Sequence, residues 1–180
     1  MRSPVLVAAV FLLLSGCAHV ISQESRALVD PAITFSSLRA APDAHAGKFV
    51  LLGGVIAGVQ NEKDGSRLEV VQTPLDSDDL PEETSHSSGG RFLALSPSFL
   101  DPMVYKQGRR VTLVGQVEGK RDLPIDQVQY TYPVVLIREI HVWKKSEIET
   151  PYYPPPGYYY DPFWWGPPYA YPWWYRRPYW

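Results

Sequence analysis

The chain has 180 residues, 19 acidic and 17 basic, for a formal charge of −2 at pH 7. That balance argues against nucleic acid as the main partner, because such affinity rests on clustered Lys and Arg neutralising phosphates. A single cysteine leaves no intramolecular disulfide, so the fold must rest on its apolar core, which about 110 globular residues can build.

Arg2 precedes a mostly apolar run from Val5 to Leu14, and Leu14-Ser15-Gly16-Cys17 closes it. A basic start, a short apolar centre and small exit residues are the three regions of a secretory signal. About ten apolar residues are too few for a membrane-crossing helix, which needs roughly 20. The last four residues fit the pattern L-[AS]-[GA]-C at every position and so resemble the bacterial lipoprotein signal. That resemblance implies cleavage before Cys17, diacylglycerol on its sulfur, and a fatty acyl chain such as palmitate on its new amino terminus. Each buried methylene contributes about 0.8 kcal/mol and stable anchoring takes at least two chains. Ala18, where enterobacterial sorting uses aspartate for inner membrane retention, favours the outer membrane by analogy. The alternative is that Cys17 is merely a small apolar residue in a signal cut elsewhere. Residues 1–16 are thus expected to be the signal peptide and 17–34 a lipidated tether. Cleavage would remove Arg2 and bring the formal charge to −3.

Ala18 to Leu38 is mixed and polar, broken by Asp30-Pro31, and Phe35 to Ala40 can form a helical turn. Pro42 and Gly47 announce a change of direction. Lys48 to Gln60 is strand-like, and its Gly53-Gly54 and Gly58 predict a bulge or bend. Asp64-Gly65 marks a hairpin turn into Arg67–Thr73, where Leu68 and Val70 face opposite to Arg67 and Glu69. Pro74 to Gly89 holds Asp76, Asp78, Asp79, Glu82 and Glu83. It reads as a solvated acidic loop, because it lacks the central glycine and closing glutamate of a calcium loop. His86 within it has no partner histidine at ligand spacing.

Gly90 to Leu95 predicts a third strand, and Phe99, Leu100, Met103 and Val104 recur at helical spacing over Ser98–Tyr105. Asp101-Pro102 could start that turn. Arg110 to Lys120 alternates strongly, with Val114 the one exception. A turn through Asp122-Leu123-Pro124 leads to Tyr130–Trp143, apolar on both faces near Val134 to Ile137. Strand, strand, strand, helix, strand, strand is the order of a small five-stranded OB-like Greek-key barrel with one short helix. An open antiparallel sheet or a sandwich is the alternative.

An ordered series of segments then carries a family resemblance. Leu68-Glu69-Val70, Pro74-Leu75-Asp76, Gly90-Arg91-Phe92-Leu93, Leu100-Asp101-Pro102 with Tyr105, Gly108-Arg109, Val111-Thr112-Leu113-Val114-Gly115, Tyr130-Thr131-Tyr132-Pro133-Val134-Val135 and Trp143 resemble the Slp family of starvation-inducible outer membrane lipoproteins. The resemblance implies a Gram-negative cell envelope protein linked to starvation or stress response, with no catalytic residues to carry over. Tyr130, Tyr132 and Trp143 are expected in the barrel wall or core, a binding face being the alternative, and Arg91 and Asp101 are a candidate ion pair from their places beside the expected helix. The barrel domain is placed at 35–146.

Residues 147–180 form a mainly irregular Pro/Tyr/Trp-rich tail: from Pro151 to Trp180 there are nine prolines, nine tyrosines and five of the six tryptophans. Such proline density excludes regular helix and central strand. Trp164, Trp165, Trp173 and Trp174, with Arg176 and Arg177, are candidate membrane or partner contacts, since Trp and Tyr favour the membrane interface and large aromatic contacts also suit glycan or envelope proteins. A surface extension without a specific ligand is the third reading. No nucleophile, zinc or phosphate-loop motif is present. Neither cofactor nor metal is expected beyond the covalent lipid on Cys17. The expected role is a non-catalytic structural or binding module at the outer membrane, facing the periplasm, with outer membrane lipid and envelope proteins or glycan as partners. A chaperone-like assembly factor acting through the tail is the alternative, and a carboxylate-dependent enzyme a remote one.

Overall fold

The computed structural model describes residues 19–83 and 88–148. These residues belong to the first of two units, Met1–Glu149 and Thr150–Trp180. The elements in chain order are α1 (Gln23–Leu28), α2 (Phe35–Ala40), a 3-10 turn (Pro42–His45), β1 (Phe49–Glu62), β2 (Gly65–Gln72), β3 (Gly90–Ser96), β4 (Arg110–Ile125), β5 (Val128–Val142) and α3 (Lys145–Ile148). The expected signal peptide, Cys17, His86 and residues 149–180 of the expected tail lie outside the described residues, while 147–148 close α3.

The five strands close in the order β1-β2-β3-β5-β4. All pairings are antiparallel except β3 with β5, which run parallel from Leu93↔Val134 to Leu95↔Leu136. This is the Greek-key OB barrel, and closure leaves no free sheet edge within it. Its core follows from the period of two: Leu68 and Val70 of β2, Phe92 and Ala94 of β3, Val111, Leu113 and Val117 of β4 and Val135 of β5 all point inward. The outer side of β4 is covered as well, because Thr112 and Val114 are fully buried.

The glycines of β1 divide the labour, with Gly58 at the expected bulge and Gly54 serving close packing. The bulge falls between Ile56 and Gly58. At Gly54, in contrast, an added Cβ would collide with the Val71 carbonyl oxygen, so hydrogen there permits close approach of β2.

Three expectations are corrected. The stretch read as a tether is built onto the barrel from residue 19 onward: Ser22 caps α1, Ile21 is buried, and Val29 bridges Phe49 in parallel. Ser98–Tyr105 is not a helix. The Asp101 carboxylate accepts from the Met103 amide at 2.8 Å, and its carbonyl takes both Val104 and Tyr105 amides, which makes a single turn. Leu100 is buried in the core, clamped by Asn61 and Ser66, and Tyr105 packs against that core, while Phe99 and Met103 stand 70% and 75% exposed. The helix that does pack into the core is α2, which contributes the fully buried Leu38 and sets Phe35 against Phe92 at 6.0 Å between ring centroids. Third, β4 runs through the expected turn at 122–124. Its hairpin with β5 turns at Asp126-Gln127, with Asp126 at φ 52°, and Pro124 pairs with Gln129 near the tip. A proline is tolerated there because a two-stranded ribbon leaves an outer edge with no bond to lose.

The loop read as solvated is partly internal. Asp76 caps the amides of Asp78 and Leu80 at 2.9 Å each, Leu75 bridges Pro81, and Asp79 is buried. Tyr132 and Trp143 are buried, as the wall reading expects.

Candidate functional site

Two polar clusters stand out on the barrel. The first lies on the outer side of β2, β3 and β5. Because Glu69 faces Leu93 and Val71 faces Arg91 across the ladder, Glu69 and Arg91 are diagonal neighbours on one face. Arg91 Nη1 donates to Glu69 Oε1 at 2.5 Å, and the Tyr132 hydroxyl donates to the same oxygen at 3.0 Å. The Tyr130 hydroxyl accepts from the Arg91 amide at 2.9 Å. The two tyrosine rings meet edge to face, with centroids 4.6 Å apart. Arg91 therefore pairs with Glu69 and not with Asp101, whose carboxylate is taken by its own turn.

Burial, reinforced by the hydrogen bond to Glu69, pushes the Tyr132 phenol up to about 12. The bond to Glu69 likewise raises Arg91 above its ordinary value, against the opposing effect of burial. Both groups hold their protons throughout the neutral range. The cluster can orient and cross-link three strands, but neither Tyr132 nor Arg91 has a proton to exchange near pH 7.

Beside it the extended β4–β5 hairpin overhangs a groove of about 280 Å³, lined by Gln60, Arg67, Glu69, Leu93, Leu123 and Tyr132. Leu93 and Tyr132, both nearly fully buried, make an apolar floor. Gln60, Arg67 and Glu69 bring amide, guanidinium and carboxylate groups to its wall, with the Arg67 guanidinium donating to the Gln60 side chain.

The second cluster joins the start of the described chain to the barrel. Asp79, in a left-handed conformation at φ 66°, receives the Arg26 guanidinium, and His19 Nδ1 lies 3.5 Å from its carboxylate. Its carbonyl accepts from the Thr112 hydroxyl at 2.6 Å, which in turn accepts from Trp143 Nε1 at 3.0 Å. Alongside, the amide and hydroxyl of Ser22 donate to the Glu139 carboxylate at 3.0 and 2.6 Å. Burial pulls Glu139 upward, but the hydrogen bonds from Ser22 and Ser25 outweigh it and hold the carboxyl below its usual range.

Of the residues singled out by sequence, Cys17, Trp164, Trp165, Trp173, Trp174, Arg176 and Arg177 lie outside the described residues. Neither polar cluster was visible from sequence spacing. Asp79 sits among exposed acidic neighbours and meets Arg26 across 53 positions, while Glu69 meets Tyr132 across 63.

The family described as "Outer membrane lipoprotein Slp family" matches residues 14–180. Outer membrane protein Slp of Escherichia coli K12 is 31% identical over 175 residues, 94% of this chain and 92% of that protein. The lipoprotein YeaY of the same organism is 31% identical over 136 residues, 76% of this chain and 69% of its own. Among solved structures, the mitochondrial single-stranded DNA binding protein Rim1 of S. cerevisiae has 9% identity and a TM-score of 0.33, over 53% of this chain and 94% of its own. The N-terminal domain of PriB from Thermoanaerobacter tencongensis has 16% identity and a TM-score of 0.32, over 54% of this chain and 97% of its own. With a family match that spans the cysteine and the whole barrel, the chain belongs to the Slp family of outer membrane lipoproteins.

Proposed function

We propose that the chain is a non-catalytic binding module of the Gram-negative envelope, held at the outer membrane by diacylglycerol and an N-acyl chain on Cys17, with its barrel in the periplasm. The observation that carries this reading is the tetrapeptide Leu14-Ser15-Gly16-Cys17, which lies inside the family-matched span and directly ahead of the barrel's first fixed residues. The hairpin-covered groove gives the module a surface for envelope partners, protein or glycan, and the stress link implied by the family resemblance gives it an occasion. Labelling cells with palmitate and fractionating their membranes tests the anchor. Wild-type chain is expected to take up label and sediment with the outer membrane, and Cys17→Ser to do neither. Unlabelled, soluble wild-type chain would overturn the reading.

A second reading draws on the five tryptophans after residue 150: an assembly factor that grips unfolded outer membrane proteins through its tail. Pull-downs with lipidated full-length chain and with a chain ending at Thr150 separate the two. A fixed partner set that survives truncation supports the barrel as binding module. A heterogeneous set lost with the tail supports the assembly factor.

A further inference from the structure

On the reading that Cys17 carries lipid, the chain that follows it sets how the barrel meets the membrane. Between the acylated Cys17 and His19 there is one residue, Ala18. A fully extended chain spans at most about 3.6 Å per residue, so Cys17 lies within about 7 Å of His19, Cα to Cα. The headgroup layer on one side of a bilayer is itself roughly 5–7 Å deep, the difference between a core of about 30 Å and a total of about 40–45 Å. Acyl chains buried in the hydrocarbon therefore bring His19 to headgroup level.

From His19 onward the chain has no slack. Its ring is beside the buried Asp79 carboxylate, Ile21 is 1% exposed, Ser22 is bonded twice to Glu139, Arg26 closes on Asp79, and the Asp30 amide donates to the Phe49 carbonyl at 3.0 Å. These contacts reach the loop before β3 and strands β1 and β5, so they fix the orientation of the barrel as well as its distance.

We infer that the barrel is seated directly on the lipid headgroups, with the end that carries His19 and Asp79 against them. The exposed Asp76 and Asp78 on the neighbouring loop disfavour anionic lipid, so the surface that fits is a zwitterionic headgroup layer. Ile125, thirteen residues along β4 from Thr112, stands off by as much as roughly 40 Å of strand at about 3.3 Å per residue. The hairpin tip is then presented to the periplasm.

The lipidated full-length chain, reconstituted in phosphatidylethanolamine–phosphatidylcholine vesicles that contain a headgroup-nitroxide lipid, provides the test. With Cys17 acylated, the substitutions Gln23→Cys, Ser77→Cys and Gln127→Cys each give one reactive thiol for a fluorophore, and all three positions are exposed. Quenching is expected to be several-fold stronger at 23 and 77 than at 127. A flexible Gly/Ser insert of 20 residues between Ala18 and His19, with an r.m.s. span of about 25 Å, is expected to erase that difference. Mass spectrometry of the same samples reports the lipid. Equal quenching at the three positions of a chain shown to be lipidated would overturn the seating alone, and a chain without lipid would overturn the anchor reading with it.

Discussion

Thr73 is completely buried, and its hydroxyl finds no hydrogen-bond partner among the described residues. An unpaired hydroxyl in such a place costs on the order of 1–3 kcal/mol. Thr73→Val keeps the shape and removes the orphan oxygen, so it is expected to stabilise the barrel by about 1 kcal/mol, read as a higher urea midpoint at an unchanged slope. Tyr132 makes the opposite case. Its phenol ionises at the ordinary 10.0 when unfolded and at about 12 in the fold. A raised folded value means the contribution is whole below pH 10 and is lost as pH rises toward 12. An ultraviolet titration of wild type should show a late tyrosine step near 12, absent in Tyr132→Phe, together with a loss of stability over the same interval. None of this was legible in sequence. Alternation puts Glu69 and Arg91 on the outer face, but the parallel β3–β5 contact that delivers Tyr132 to them is a matter of register.

The strands themselves could be read because each alternates or runs apolar for long enough to outvote its neighbours, and the glycine-bent β1 already indicated a barrel. Local signals misled where tertiary contacts decide. Phe99 and Met103 keep helical spacing, yet Leu100 is captured by Asn61 and Ser66, and the turn around Asp101 leaves the other two in solvent. Pro124 announces a break that a free hairpin edge makes unnecessary. Glycine can be tested at two places in these elements. Gly54→Ala pushes β1 off the Val71 carbonyl oxygen and is expected to cost about 3 kcal/mol, the upper end for overpacking. Gly119 sits at φ 111° beside the β4 register shift at Val117, so alanine is strained there whatever the space. The two substitutions should differ under hydrogen exchange. The first should release the β1–β2 ladder, and the second only the outer reach of the β4–β5 hairpin, with barrel protection retained.

At the scale of the whole molecule, residues 19–30 are latched onto the barrel, and the Ser22–Glu139 part of that hold is expected to depend on protonation. Glu139 accepts two hydrogen bonds from Ser22, and its carboxyl is held below the usual glutamate range despite the counter-effect of burial. A lowered folded value means that the stabilisation is complete above the unfolded pKa and disappears as pH falls through the folded one. The latch should therefore remain closed at neutral pH and weaken below about pH 4.3, the ordinary glutamate value. Amide exchange along α1, followed from pH 7 downward and corrected for intrinsic rates, is expected to rise in that acid range while β2 and β3 stay protected. Glu139→Gln removes the charge that strengthens both bonds, so it should raise α1 exchange already at pH 7 and flatten the response to acid. Arg26 and Asp79 supply the other half of the latch and remain in the variant, which predicts a loosened α1, not a detached one. If α1 and the barrel strands gained exchange together, the segment would be part of one cooperative unit and could not yield separately from the fold.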